Sequence, residues 1–378
     1  MSLIVDEHRQ YVSDRLRVET LTRAVDAIIR PGDVVVDLGT GTGILGFLAC
    51  RAGARHVYAI EASGMIEIAR ELALANGFSD RMTFIHQHSF EVRLPEAADV
   101  LLADLVGGMG FEAGLFQTYG DARRFLKPDA RVMPANVTLA ATPVEDPSLF
   151  DEVQFWSHGF AGIDSGPVLR WATNTGYPRL LDPASVLSQD DIKVSVDPLA
   201  GLPMIRLHGC VRIQRAGLMH GIGGWFEADL APGVPMTNSP RATTRLNRRN
   251  VFFPLDRAVP VAPGDVAGIT IRIRPSDKLV TWDVNLEAAS GRVRERHSTL
   301  NGMLLTREDL QAHAPDVAPR LTPRGLARRS VLELCDGQRA LRAIEDEVFR
   351  RHPALFKSRG EAQAFVAEVV ARYGEPRP

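Results

Sequence analysis

The stretch VVVDLGTGTGILGFLACRAGARHVYAIEAS, Val34 to Ser63, limits the possible folds more than any other part of the chain. A β-branched run (Val34, Val35, Val36) ends in glycines, an amphipathic stretch follows, and Val57 to Ile60 reads as a second strand. That is a βαβ unit, whose crossover sets its two strands parallel. Strand and helix signals keep alternating beyond it. Met82 to Ile85 and Val100 to Ala103 read as strands, about Ser63 to Ala75 as a helix, and a further helix runs through Leu126. This order predicts a mostly parallel, doubly wound sheet.

After Pro134 the pattern changes. VTLAATPV, MIRLHGCVRI, GIGGWFEADL, VAGITIRIR and LVTWDVNLE recur between Gly and Pro punctuation, which predicts antiparallel strands of a barrel or sandwich. Asp151 to Asp190 is polar, Gly/Pro-rich and weakly patterned, and reads as an insertion or arm. From about Pro315, APDVAPRLTPRG reads as a linker. RRSVLELCDGQRALRAIEDEVFRRH and EAQAFVAEVVARYG then read as short helices around an Asp336-Gly337 turn. The expected fold class is α/β plus β: a Rossmann-like domain over residues 1–134, a β-barrel-like domain over 135–310 with an arm at about 151–190, and a small helical domain over 318–378.

Composition excludes several classes. A net charge of -2 over 378 residues argues against a general nucleic-acid binder, which needs a basic surplus. No apolar run is long enough to span a membrane and the N-terminus has no apolar leader, so a cytoplasmic protein without a membrane partner is expected. Cys50, Cys210 and Cys335 lie far apart, outside any zinc spacing, and His86-Gln87-His88 lacks carboxylate or cysteine company, so no metal is expected.

The glycines pose the functional question. GxGxG is common to dinucleotide oxidoreductases and to S-adenosylmethionine methyltransferases. In the dinucleotide pattern the third glycine follows the second by three positions, whereas here the order is Gly39, Gly41, Gly43 with Ile at 44. Asp37 would set a carboxylate at the strand tip, which repels a pyrophosphate and attracts the ammonium of a methionine moiety. Glu61, followed by Ala62, ends the second strand, where it can accept both ribose hydroxyls. Adenosylmethionine is the better reading, and a nicotinamide cofactor is disfavoured.

HRQYVSDRLR, VVVDLGTGTGILG, YAIEAS, DVLLADLVGGMGFEAG and FLKPDARVMP, in that order, resemble the protein arginine methyltransferases over residues 6 to about 145. The likeness continues more faintly through FWSHGF and NVFFPL to about residue 305. It implies that the N-terminal helix folds over the cofactor, with His8 and Tyr11 lining the pocket, Arg17 clamping the carboxylate, and Ser89 and Phe90 at the adenine edge. It also implies that Asp104 and Glu112, on the loop after the fourth strand, grip a substrate guanidinium, in a peptide or in a small arginine-like metabolite. Members dimerise through an arm in the barrel domain, so a homodimer is expected.

Three features depart from that family. Asp104 stands where the family has Glu, and the loop to Glu112 is one residue shorter. The family's Thr-His-Trp loop is replaced by RATTRLNRRN, Arg241 to Asn250, which reads as a solvated face or as a recogniser of an acidic substrate. Residues from about Leu321 to Tyr373 resemble PqqD-type peptide-recognition proteins, without an evident β-hairpin, and read as a docking module or a structural cap. The alternatives to guanidine methylation are methyl transfer to another nitrogen or oxygen acceptor, and a catalytically weak cofactor-binding protein that recruits a peptide.

Overall fold

A computed structural model describes residues 4–201, 203–288, 291–312 and 314–374. The chain divides into two compact units, residues 1–303 and 304–378.

In the larger unit, α1 (Ile4–Ser13) and α2 (Arg15–Ile28) lead into the parallel sheet. Asp14 starts α2 by accepting the Arg17 N–H at 3.1 Å, and the helix then buries Leu21, Ala24, Val25 and Ile28 at helical spacing. Each buried Leu or Ile side chain contributes about 1.5–3 kcal/mol. β1 (Val34–Leu38) is buried along its whole length, as a strand covered on both faces must be. It pairs in parallel with β2 (His56–Glu61) and with β4 (Ala98–Leu102), while β3 (Met82–His86) and β5 (Leu126–Met133) complete the order β3-β2-β1-β4-β5. The helices between the strands are α3 (Ile44–Arg51), α4 (Met65–Ala75) and α5 (Leu115–Ala122). Strand order reverses between β1 and β4, the point at which open α/β sheets leave a ligand crevice beyond the carboxyl ends of their strands.

The remaining strands of this unit are antiparallel: β6 (Asn136–Val144), β7 (Tyr177–Arg179), β8 (Ile192–Val196), β9 (Ile205–Arg212), β10 (Gly217–Ala231), β11 (Val234–Thr237), β12 (Asn250–Val261), β13 (Val266–Arg274), β14 (Leu279–Ala288) and β15 (Gly291–Ser298). They form two separate hydrogen-bonded sheets, β7-β12-β10-β6-β8 with β11 beside β10, and β15-β14-β13-β9. Buried Trp282 joins the two layers by donating its indole N–H to the Pro254 carbonyl at 3.0 Å, with the Phe253 ring 5.0 Å away. One core runs from Val36 and Leu101 of the parallel sheet through Met109 and Phe111 to Leu139 and Phe226.

The segment read as an arm follows from the end of α6 (Pro147–Gln154) and holds α7 (Leu169–Ala172) and β7; its first half is mostly exposed and its second half is tied to the sheet. β7 pairs with β12, and buried Leu181 donates its N–H to Asn250 Oδ1 at 3.0 Å. Its exposed apolar side chains include Phe155, Phe160 and Ile163, at 51%, 47% and 59% exposure.

The smaller unit contains α8 (Arg307–Ala312), α9 (Pro323–Leu334), α10 (Leu341–Arg351) and α11 (Arg359–Tyr373), and no strand among its described residues. Thr322 and Ser358 cap α9 and α11 by accepting N–H groups at 3.1 and 3.2 Å. Val331, Ile344, Val348, Phe365 and Val369 form its core, and Gly337 takes the left-handed conformation (φ 75°) that the Asp-Gly turn requires.

Candidate active site

The carboxyl ends of β1, β2 and β4 bring most of the expected residues together. β1 runs into a tight loop in which Gly39, Gly41 and Gly43 all have positive φ, so that the backbone turns sharply into α3. Asp37 is fully buried at the tip of β1. Its Oδ2 accepts the Thr40 hydroxyl at 2.5 Å and the Gly46 N–H at 2.9 Å, which caps the first turn of α3, while its Oδ1 has no partner. Burial pushes Asp37 up to about 6. An orphaned, buried carboxylate oxygen is costly alone and is suited to receive a cation.

Glu61, at the end of β2, turns toward the same loop. Its Oε2 accepts the Gly41 N–H at 3.1 Å and its Oε1 the Ser63 N–H at 2.9 Å. Two lone pairs remain for hydroxyl donors. Ala62 is exposed beside it, Ser89 is buried, and Phe90 is half exposed with its ring 4.7 Å from that of His88.

α1 closes over this loop. His8 Nδ1 lies 2.9 Å from the Ile4 carbonyl, an acceptor only, so Nδ1 donates a hydrogen there and Nε2 stays outside that bond. A methyl group on Gly41 would sit 2.8 Å from that Nε2. Tyr11 is exposed, with its hydroxyl on Glu7 at 2.7 Å and its ring 5.2 Å from the Arg17 guanidinium. Arg17 reaches across to the acidic loop, donating Nε to Asp104 Oδ2 at 2.6 Å and Nη1 to the Tyr11 carbonyl at 2.8 Å.

Asp104 and Glu112 occupy the loop between β4 and α5. That loop backs directly onto the glycine loop, because a methyl on Gly39 would meet Leu105 Cδ2 at 2.9 Å. The two acids differ in character. Burial raises Asp104, but the guanidinium groups of Arg248 and Arg17 outweigh it and hold the carboxyl below its ordinary value. Burial also raises Glu112, and the N–H groups around it only partly compensate, so it stays above its ordinary value. Glu112 folds back onto its own loop, accepting the Met109 N–H at 2.9 Å and the Phe111 N–H at 3.2 Å. Gly107 leaves room for it, since a methyl there would fall 2.2 Å from Glu112 Oε2.

The arginine run is only partly a solvated face: Thr243, Thr244, Asn247 and Arg249 are exposed, but three of its arginines are engaged. Arg241 pairs with Asp191 at 2.8 Å and caps the Ser188 carbonyl at 2.7 Å, and Arg245 donates to the Leu181 carbonyl at 3.0 Å. Arg248 enters the acidic loop, where its Nη2 lies 3.3 Å from both oxygens of Asp104 and its Nη1 donates to the Val106 carbonyl. Asn238, fully buried, ties this region together by donating to the Gly108 carbonyl at 2.7 Å and accepting the Phe226 N–H at 3.0 Å. Gly224 of β10 completes the socket, for a methyl there would collide with Met109 Sδ at 2.5 Å. Sequence reasoning missed Arg248, Asn238 and Gly224. The glycine-rich GIGG segment was the available signal for the last.

Asp256, Glu295 and His297 bring three ligand-type atoms within 4.8 Å of one another. His297 Nε2 faces Glu295 at 3.3 Å and its ring stacks on Trp282, so His297 belongs to the packing of the antiparallel sheets while Asp256 is exposed.

Comparisons with known proteins bear on the fold that carries this site. Residues 19–132 match the family model of the ribosomal protein L11 methyltransferase (PrmA), a span that ends with the parallel sheet. The histone-arginine methyltransferase CARMER of Drosophila yakuba is 28% identical over 260 residues, covering 63% of this chain and 48% of that protein. The probable histone-arginine methyltransferase CARMER of Drosophila melanogaster gives the same figures. The chain thus spans about half the length of the curated relatives it matches. Among solved structures, the Trypanosoma brucei PRMT1 enzyme-prozyme heterotetrameric complex with AdoHcy superposes with a TM-score of 0.70 at 21% identity, covering 77% of this chain and 97% of that one. Protein arginine methyltransferase 10 of Arabidopsis thaliana gives a TM-score of 0.65 with the same identity and coverage. This chain has the fold of the protein arginine methyltransferases and is similar to them in sequence.

Proposed function

We propose that the chain is an S-adenosylmethionine-dependent methyltransferase whose acceptor is a guanidine nitrogen, in an arginine-bearing peptide or protein or in a small arginine-like metabolite. The observation that carries this reading is the pair of unlike carboxylates on one loop, packed through Leu105 onto the glycine loop.

The residues fit the cofactor. Asp37 offers its unpartnered oxygen to the ammonium, Glu61 its free lone pairs to the ribose, Arg17 the terminal N–H groups that Asp104 and the Tyr11 carbonyl leave unused to the carboxylate, and His8 with the glycines a close cover. Bound adenosylmethionine supplies a methyl group on a positively charged sulfur. The chain's own work is then orientation and proton handling. A guanidinium is planar and permanently charged, so it needs a carboxylate fork to fix its plane and leave one nitrogen exposed. Asp104, held ionised by its arginine partners, supports that fork. When the nitrogen gains a methyl group, one N–H proton must leave. Glu112, raised above its ordinary value, is the better acceptor for it. Alignment supplies most of the acceleration.

Glu112→Gln keeps shape while removing charge and basicity. Its kcat falls by roughly 10² to 10³ while cofactor affinity stays within about twofold. A wild-type rate on the true acceptor would rule out a guanidinium held by this loop.

A homodimer in the cytoplasm accompanies this reading. The exposed Phe155, Phe160 and Ile163 suit contact with a second copy, and the three cysteines are unpaired. The helical unit, 304–374, is read as a docking module or cap, and loss of peptide methylation with retained cofactor binding on its deletion would favour docking.

A further inference from the structure

Asp104 is the most enclosed charged group of the acidic loop, with 5% of its side chain exposed, and two arginines share it. They do so unequally. Arg17 grips Oδ2 with its Nε at 2.6 Å and its Nη2 at 2.5 Å. Arg248 stands off, with contacts of 3.3 to 3.4 Å to both oxygens. Charge-assisted hydrogen bonds of full strength lie near 2.7–2.9 Å, so Arg248 makes the weaker hydrogen bonds of the two.

The backbone that carries Arg248 is fixed independently of its side chain. Arg241 and Arg245 pin the preceding residues, and the Asn247 N–H donates to Asp14 Oδ2 at 3.3 Å. The guanidinium itself lies over the Phe226 ring, 5.7 Å from its centroid. That head group meets a carboxylate and the Val106 carbonyl, and its charge also reaches Glu112. An acceptor guanidinium placed between Asp104 and Glu112 would meet the same set. Like charge opposes having both there, since the site would then hold three guanidinium groups around Asp104.

We infer that Arg248 stands in the place of the acceptor's guanidinium and that the acceptor binds by exchanging with it, so that Arg248 sets which acceptors the site takes. The inference rests on the guanidine-methylation reading. Exchange keeps Asp104 between two cations before and after. A neutral acceptor has nothing to offer Asp104 in return and leaves Arg248 where it is. The requirement to vacate the site lowers apparent acceptor affinity by the fraction of time that it is free, about tenfold if Arg248 is away one-tenth of the time.

The test is direct binding of a guanidinium probe, N-acetyl-arginine amide, to the full chain by calorimetry, with and without adenosylhomocysteine. Arg248→Met keeps an unbranched apolar side chain and removes the head group. The expected result is probe affinity about tenfold higher than wild type, with the melting temperature little changed because Arg17 still pairs with Asp104. Arg248→Lys, which keeps the charge but not the fork, should give a smaller gain in the same direction, and it carries the test if the Met variant does not fold. Equal or weaker probe binding by the folded variant, or no binding by either protein, overturns the inference. Turnover is read separately. Tighter probe binding without methyl transfer to any guanidine upholds the exchange and fails the methylation reading.

Discussion

Replacing Asp37 with Asn should make the unliganded chain relatively more stable as pH rises. Asp37 is fully buried with one oxygen unpartnered, and its pKa lies at about 6 against an ordinary value of 3.8. That difference is worth about 3 kcal/mol. Because the folded value lies above the unfolded one, the folded chain holds the proton more tightly. The resulting stability is complete below 3.8 and is lost as pH rises through about 6. Roughly 1.4 kcal/mol of it disappears between about pH 5 and about pH 8. Asn cannot ionise, so the Asn variant lacks this loss. Its Nδ2 replaces the orphaned oxygen at a cost of about 1–3 kcal/mol that does not depend on pH. Comparing the two proteins at both pH values cancels that cost. Urea unfolding followed by tryptophan fluorescence is the assay, since Trp156, Trp171, Trp225 and Trp282 all lie in the larger unit. The expected result is a shift of about 1.4 kcal/mol in favour of the Asn variant between the two pH values. A difference between the proteins that stays constant with pH would refute the account of Asp37 as a buried, unpaired acid.

Glu61→Ala should weaken adenosylhomocysteine binding by about 1.5–3 kcal/mol, the worth of hydrogen bonds to a charged group, and calorimetry showing wild-type affinity would contradict the ribose assignment. Gly107→Ala puts a methyl 2.2 Å from Glu112 Oε2 and 2.9 Å from its N–H, so the acidic loop must shift; kcat should fall roughly tenfold or more with cofactor affinity within about twofold. An unchanged kcat would show that the loop's geometry is not what the reaction needs. Substituting Phe155, Phe160 and Ile163 together by Ser should leave a folded monomer, and a variant that sediments like the wild-type chain at micromolar concentration would remove the arm from the proposed interface.

The parallel half of the fold was open to reading because its physics is local. A strand buried on both faces has to be rich in Val and Leu, and its loops need glycine at fixed places, so β1, its glycines and β2 all announce themselves within thirty residues. β12 and β15 did not. Pro254, Asp256, Arg257 and Pro260 break the alternation of the first, and β15 is an edge strand whose Arg292, Arg294 and Arg296 face outward. The arginine run misled for a related reason. Clustered charge reads as solvated unless partners are known, and the partner of Arg248 is Asp104, 144 residues away. Nor does sequence reveal that Leu181 is locked to Asn250, which ties one end of the segment read as an arm to the sheet. Asp37 and Glu61 were legible because each sits at the end of a strand whose position was already fixed, whereas Asp104 and Glu112 were singled out only by the resemblance to the protein arginine methyltransferases.

The central claim is that a methyl group reaches a guanidine nitrogen under the control of the acidic loop. Incubating the full chain with isotopically labelled adenosylmethionine and a fractionated lysate, then locating the label by tandem mass spectrometry, tests it most directly. The account predicts label on arginine side-chain nitrogens, or on the guanidine of a small metabolite, and its loss when Glu112→Gln replaces the wild-type chain. Label on lysine, on a hydroxyl or on a carboxylate, or labelling that persists unchanged in the Gln variant, would contradict it.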